Sequence, residues 1–298
     1  MSAAARARLA DGRLHLQHGP IDVLIEAWGE AAEVEAAYAQ ATERFGTILP
    51  ELVAELPRLR APVGASYPLL RGPVARRMAA AVWPHRDVFI TPMAAVAGAV
   101  AEALMDALLA GRRLRKACVN DGGDIALHLA EGEWLDVGIV DDIARPSLDA
   151  KVRIPASLPV RGVATSGWRG RSQSLGIADA VTVLARTAAE ADAAATLVAN
   201  AVNVDDPAVQ RRPARQVKED SDLGELPVTV AVGPLTADAA GTALRNGIAR
   251  AEALRGRGLL HAAYLSLQGR RAVVPAAEAL TLAVHRSPTV VQPPGRTP

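Results

Sequence analysis

The sequence predicts an α+β fold with largely antiparallel sheets and packed helices, on three observations. A hairpin pattern opens the chain: Leu14 and Leu16 alternate with polar residues, His18-Gly19-Pro20 supplies a turn, and Ile21, Val23 and Ile25 alternate again. A second hairpin pattern, 259–267 followed by 272–274, turns at Gln268-Gly269. Between them helical and extended segments follow in mixed order, without the regular strand–helix alternation that a parallel sheet requires.

The elements follow in order. After Gly29 the apolar period becomes helical over 31–45, and a second helical piece covers 50–56 until Pro57 ends it. Prolines and glycines punctuate 57–92 around a short helix over 74–82. A long apolar helix starts at Met93 and leads to Gly111; it contains Glu102 and Asp106 and follows Pro92, the pattern of a buried core helix and not of a membrane span. The strand Ala117-Cys118-Val119 runs into Asn120-Asp121-Gly122-Gly123-Asp124, and extended patterns resume over 125–129, 134–140 and 151–154. The second half reads as a strand over 180–185, a helix over 187–202, a strand over 228–232 and a helix over 236–256 capped by Thr236. The chain is expected to form one unit over 1–285 made of two α+β halves, followed by a disordered Pro/Gly-rich tail over 286–298.

Composition narrows the function. The 298 residues carry 33 Lys+Arg against 32 Asp+Glu and are 50% hydrophobic, enough to bury a large core but without the cationic excess of a dedicated nucleic-acid binder. Cys118 is the single cysteine, which excludes an internal disulfide, and the six histidines lack metal-ligand spacing. No apolar signal-type stretch opens the chain, so a cytoplasmic location without membrane association is expected. Phosphate-loop, dinucleotide-fingerprint and serine-nucleophile motifs are missing, which removes the commonest ATPase, dehydrogenase and serine-hydrolase readings.

Three segments carry candidate chemistry. In Asn120-Asp121-Gly122-Gly123-Asp124 the glycines permit positive φ and expose backbone N–H groups beside polar side chains, which suits a nucleotide or ribose; an ordinary hairpin turn has the same composition. The run over 162–172 follows a strand and combines Thr165, Ser166 and Gly167 with Trp168, Arg169 and Arg171, donors suited to a phosphate beside a ring suited to stacking; a polar loop is the plainer reading. Asp192 and Thr196 lie four residues apart on one helix face, where a carboxylate and a hydroxyl can converge on Mg²⁺; a solvated charge near a helix start is the alternative. Asp179, just before the strand over 180–185, is placed to point into the same mouth or to cap a turn.

In this order the segments resemble the ApbE superfamily, whose best-known members are FAD:protein FMN transferases. Residues 120–125 look like its N-x-GGDI turn, Ala164-Thr165-Ser166-Gly167 like its ATSG loop, and Val181-Thr182-Val183 followed by 191–196 like its SVTV…ADAxAT segment. Residues 92–99, 174–180 and 191–202 are closer to a soluble, UPF-type branch of that superfamily. The resemblance, over roughly residues 10 to 275, implies a duplicated T-fold-like architecture with a flavin or other nucleotide held between its halves. It also implies Asp192 and Thr196 as Mg²⁺ ligands, and a reaction in which a hydroxyl displaces AMP from FAD. Two departures stand out: no His-Ile-x-Asp-Pro-x-x-Gly stretch lies between Ser174 and Val181, and Ala97-Gly98 replaces the transferases' Lys-Gly. The expectation is nucleotide or flavin binding with Mg²⁺, in a transferase or a pyrophosphate-cleaving enzyme. The alternatives are a non-catalytic accessory protein or an enzyme for another small metabolite. Free sheet edges would also allow a homodimer.

Overall fold

The computed structural model describes residues 4–142, 146–275 and 282–284, so the expected tail over 286–298 lies outside the described residues. Nine strands form one antiparallel sheet. In the first half the hairpin β2 (Leu14–His18) and β3 (Ile21–Gly29) leads into helices α1 (Ala31–Ala54), α2 (Leu56–Leu59), α3 (Pro73–Val82) and α4 (Val96–Leu109). The chain then returns as the hairpin β4 (Leu114–Asp121) and β5 (Asp124–Leu129). The second half repeats the order: β8 (Gly162–Ser166) and β9 (Ala180–Ala185), helices α5 (Ala188–Ala201) and α7 (Ala237–Gly256), then β12 (Ala262–Leu267) and β13 (Arg270–Val274). In each half the strand entering the helices pairs antiparallel with the strand leaving them, β3 with β4 and β9 with β12. The halves join where β5 pairs with β8 through Ile125↔Val163 and Ala126↔Gly162. The α+β class and the duplicated arrangement are therefore present in the strand order itself, with β1 (Ala5–Arg8) added at one edge.

Two smaller sheets complete the structure. The hairpin β6 (Trp134–Ile139) and β7 (Ala150–Pro155), joined by β14 (Leu282–Val284), covers one face of the main sheet. There Val137, Val152 and Ile154 pack on Leu127, Val163 and Leu184. Arg271 on β13 ties this cover down through Asp141 at 2.9 Å and Asp149 at 2.6 Å. The segment β10 (Val209–Pro213), α6 (Ala214–Val217) and β11 (Pro227–Val232) is inserted between α5 and α7, so the expected strand over 228–232 forms but stays outside the main sheet. The helices cover the other face, against Val23, Val119, Ala126, Val183 and Leu265.

Three local expectations change. The two helical pieces over 31–45 and 50–56 are one helix, α1, with Pro50 inside it. Pro50 forgoes a hydrogen bond to the Gly46 carbonyl at a cost of about 3 kcal/mol. Burying Ile48 and Leu52, on the face that also carries Tyr38 and Phe45, offsets it at roughly 1.5–3 kcal/mol each. The helix expected from Met93 begins at Val96, because Pro92–Ala95 is a tighter 3-10 turn. Gly162 to Ser166 is itself an interior strand, between β5 and β9, and not part of a loop. The stretch Pro92–Leu109 is apolar enough in length and composition to cross a membrane, with a mean hydropathy of 1.5, yet 56% of it is buried within this chain, as expected of a core helix.

The Ala-rich helix α5 is the best-enclosed helix, and glycines on its neighbours make that possible. A Cβ on Gly162 would lie 2.0 Å from the Thr187 carbonyl oxygen, one on Gly98 2.3 Å from that of Ala188, and one on Gly176 2.0 Å from that of Ala199. Backbone meets backbone at all three places, so no side chain can move aside. Gly162→Ala should therefore lower stability by about 3 kcal/mol or more in denaturant unfolding. Gly46→Ala in α1, where an added Cβ meets nothing within 4 Å, should raise it by about 0.5–1 kcal/mol.

His85 gives the fold a pH dependence. It is 2% exposed with Nδ1 unpartnered, and burial, then Arg257 and Arg250, push its pKa from 6.5 down to about 4. The folded protein holds it neutral while the unfolded chain protonates it first, so stability is lost as pH falls from 6.5 towards 4. Urea titrations across that window should show a loss of up to about 3 kcal/mol. His85→Leu should flatten this part of the slope.

Candidate functional site

The β4–β5 hairpin closes at the pair Asp121↔Asp124, with Gly122 at φ +65° and Gly123 at φ +113° between them. Such a two-residue turn needs positive φ at both positions, which is why both are glycine. The Asn120 side-chain oxygen accepts the Gly123 N–H at 2.8 Å, so the turn reading of this segment is realised and that amide is already occupied. Strand alternation puts Asp121 and Asp124 on the same face as Val119 and Ala126, the face covered by the helices.

From that side α5 presents Asp192, with Thr196 one turn further along the same helix face. Asp192 Oδ2 accepts the Gly98 N–H at 3.1 Å, and the Ala97 N–H also points at this carboxylate, so it caps the first turn of α4. Burial pushes the pKa of Asp192 up to about 7, opposed by the Gly98 hydrogen bond and reinforced by Asp121. Asp121 is raised to about 7, again chiefly by burial, with Arg171 pulling it back. Burial and the charges of Asp192 and Asp121 hold the Asp124 pKa well above the usual carboxylate range. Three carboxylates from two distant segments thus share one poorly solvated recess.

The counter-charge comes from Arg171. A Cβ on Gly122 would lie 1.8 Å from its guanidinium, so the arginine lies directly on the glycine turn while its own surface stays exposed. Among the described residues no group of three or more His, Cys, Asp or Glu side chains is arranged to hold a metal ion by itself.

The structure divides the remaining candidates. Ser166 continues the helix-side register of Ala164 on β8. Thr165 points to the opposite face, where its hydroxyl meets that of Thr182 at 2.8 Å; only its backbone N–H reaches the cluster, donating to Asp124 Oδ1 at 3.3 Å. A Cβ on Gly167 would sit 2.4 Å from the Asp179 carbonyl oxygen, so this glycine serves close packing. The Asp179 carboxylate accepts from Trp168 Nε1 at 3.3 Å, from Arg169 Nε at 2.7 Å and from the Gln268 N–H. It ties the 167–179 loop to the β12–β13 turn, and Trp168 and Arg169 are held there instead of facing the carboxylates.

Three participants were not legible in the sequence. Asp22 on β3 adds a like charge near Asp121. The first-turn amides of α4 become the partners of Asp192, for which a glycine at an otherwise Ala/Val-rich helix start was the available signal. Asn200 at the end of α5 accepts from the Leu175 N–H at 2.9 Å and the Ser174 hydroxyl at 3.2 Å, which fixes the segment that replaces the transferases' longer stretch.

A duplicated antiparallel sheet, with a glycine turn and a central helix pooling carboxylates at one recess, defines the class of protein. The chain belongs to the family described as "AbpE bacteria", whose model matches residues 6–273. This agrees with the ApbE-like resemblance of the three segments. Among its relatives is a UPF0280 protein of Methanopyrus kandleri, 34% identical over 216 residues that make up 70% of this chain and 83% of the relative. A UPF0280 protein of Methanothrix thermoacetophila is 42% identical over 118 residues, 39% of this chain and 48% of that one. A third, from Methanothermobacter thermautotrophicus, is 37% identical over 133 residues, 44% of this chain and 50% of its own length, so with these two the match spans about half of the relative. The crystal structure of the apo flavinyl transferase ApbE of Pseudomonas stutzeri is similar at a TM-score of 0.43 and 12% identity, over 91% of this chain and 92% of that one.

The clamp at Asp179 is open to a direct test. Asp179→Ala removes an acceptor shared by three donors, two of them in a half-buried loop, and should cost about 2–3 kcal/mol in thermal or denaturant unfolding. Trp168 fluorescence should shift to the red as the indole loses its partner.

Proposed function

We propose that the recess between the β4–β5 turn and α5 binds the pyrophosphate part of a nucleotide, a flavin dinucleotide being the first choice, together with Mg²⁺. One observation carries this reading: Asp121, Asp124 and Asp192 are brought together in a recess where each is held above its normal pKa, beside the exposed guanidinium of Arg171. Grouped, poorly solvated carboxylates are costly unless a cation shares them, and carboxylates with strongly perturbed pKa values cluster at functional sites.

The donor set suits Mg²⁺, which takes one or two protein oxygens and fills its remaining positions with water and phosphate oxygens. Asp192 and Thr196 would hold it, and it would neutralise charge building up on the phosphates. Arg171 would donate to phosphate oxygens in a bidentate fashion, and the bare backbone at Gly122 lets a ligand approach closely. Asp121 and Asp124 would face the ion through water. With the family resemblance, this supports displacement at a pyrophosphate phosphorus, with a hydroxyl or water as acceptor.

A second reading is a non-catalytic accessory protein. It is favoured by the Asp192 cap on α4 and by the packing of Ser174 and Leu175 against Asn200. Calorimetric titration separates the two. FAD should bind at least about tenfold more tightly with Mg²⁺ than without, and Asp192→Asn should abolish that increment while circular dichroism shows a folded protein. Equal affinity with and without Mg²⁺, or an increment that survives in the variant, would contradict the metal-assisted reading and leave Asp192 as a helix cap.

A further inference from the structure

The two arginines of the 167–179 loop differ. Arg169 is committed: its Nε meets Asp179 Oδ1 at 2.7 Å and its Nη1 lies 3.8 Å from Asp142 Oδ2. Arg171 makes neither a hydrogen bond nor an ion pair among the described residues. Its guanidinium nevertheless has a defined place, because the Cβ that Gly122 lacks would overlap Nη2 and lie 2.8 Å from Cζ. Gly122 is therefore bare for this guanidinium as well as for its φ of +65°.

The charges around Arg171 are unequal. Its charge acts on Asp121 and Asp124, while Asp22 acts on Asp121, and Asp192 on Asp124, as like charges. Asp22 has its own partner in His15 Nε2 at 2.8 Å, and Asp192 has the Gly98 amide. Asp121 and Asp124 have one backbone amide each, from Asp22 and Thr165, and share Arg171, which hydrogen-bonds neither. An arginine that serves a carboxylate for structure closes a two-pronged contact, as Arg153 does on Asp136 at 2.8 and 2.9 Å. Arg171 stops short of that.

The loop leaves this side chain free to turn. The Gly170 N–H donates to the Gly167 carbonyl at 3.2 Å and the Gln173 side chain to the Ala214 carbonyl at 2.9 Å, so the backbone is anchored on both sides of Arg171. Residues 170–172 are exposed between those anchors, and the long side chain can change rotamer while the loop stays in place.

We infer that Arg171 couples the nucleotide to the cation by changing partners. Before a nucleotide binds, its charge serves Asp121 and Asp124 and opposes a cation in the recess. Pyrophosphate oxygens then draw it off the Gly122 turn, and the carboxylates are left to Mg²⁺. The inference rests on the reading of the recess as a nucleotide and Mg²⁺ site, and adds a link between the two ligands. Phosphate oxygens offer Arg171 the bidentate contact that neither carboxylate gives it. The link is reciprocal: Mg²⁺ tightens the nucleotide by the factor by which the nucleotide tightens Mg²⁺. A guanidinium fixed beside the recess would oppose the cation equally with and without a nucleotide and would contribute nothing to that factor.

Binding of Mn²⁺, followed by the loss of its free-ion electron paramagnetic resonance signal, tests this on the full chain with and without saturating FAD. Arg171→Gln removes the charge from an exposed side chain and keeps most of its length. Without FAD the variant binds Mn²⁺ about tenfold more tightly than the wild-type protein. With FAD it gains nothing over the wild-type protein, so the factor by which FAD tightens Mn²⁺ falls by about tenfold. Asp192→Asn abolishes Mn²⁺ binding in both conditions, which assigns the signal to the recess. Unchanged or weaker Mn²⁺ binding by Arg171→Gln without FAD overturns the inference, as does Mn²⁺ binding that survives Asp192→Asn. An equal gain with and without FAD also overturns it, since Arg171 is then a fixed charge. Wild-type calorimetry tells this failure from that of the underlying reading. If Mg²⁺ leaves FAD affinity unchanged there, the nucleotide and metal site falls and the link falls with it; if Mg²⁺ tightens FAD and Arg171→Gln keeps the full factor, only the role of Arg171 falls.

Discussion

Helices α4 and α5 exchange caps. Asp192 of α5 accepts the Gly98 N–H in the first turn of α4, and Glu102 of α4 accepts the Ala189 N–H at 2.7 Å in the first turn of α5. The first turns of a helix carry amides with no internal partner and a partial positive charge, so a carboxylate from a neighbour meets both needs. The exchange works only because the two backbones touch, which the bare Cα of Gly98 against the Ala188 carbonyl allows. Burial raises the Glu102 pKa, and Arg77 at 2.9 Å, together with the Ala189 N–H, pulls it back. Since α4 belongs to the first ββ–helix–ββ unit and α5 to the second, this contact joins the halves on the helical side, as β5 and β8 join them in the sheet.

The recess follows from that contact. Once α5 is pinned between α4, β8 and the 174–178 segment, Asp192 is carried to the helix face opposite Asp121 and Asp124 without freedom to withdraw. An apolar residue at any of these positions would relieve repulsion and desolvation together. The arrangement keeps all three carboxylates and offers one nearby guanidinium and a few backbone amides as compensation. A bound cation would supply the missing charge, and a site that binds only in the folded state adds its binding energy to stability. Structural capping and ligand binding can coexist at Asp192, because a carboxylate has more lone pairs than the Gly98 and Ala97 amides of α4 occupy.

Most of the architecture could be read from residue patterns. Alternation over 14–25 and 259–274, the Gly122-Gly123 turn and the Thr236 cap each reflect chemistry confined to a few neighbouring residues, and each is found. Failures came where distant packing overrides a local signal. Pro50 marks a break by its own chemistry, but Ile48 and Leu52 are buried by the sheet and carry the helix through. Gly162 resembles a loop glycine beside Thr165 and Ser166, yet its role is to admit the backbone of α5. The site divides in the same way. Residue types at Asp121, Asp124 and Asp192 pointed to chemistry, whereas strand register, which no single segment contains, decided that Thr165 turns away and that Asp179 is consumed by Trp168, Arg169 and Gln268.

The α4–α5 contact is the rigid support on which the recess is built, and amide hydrogen exchange measures that rigidity most directly. The Gly98 and Ala189 amides, each held by a carboxylate of the other helix, should exchange only through global unfolding, with protection equal to that of the β9 and β12 amides. Exchange orders of magnitude faster than in those strands would mean that the helix starts open independently, and that Asp192 is not held against the hairpin turn.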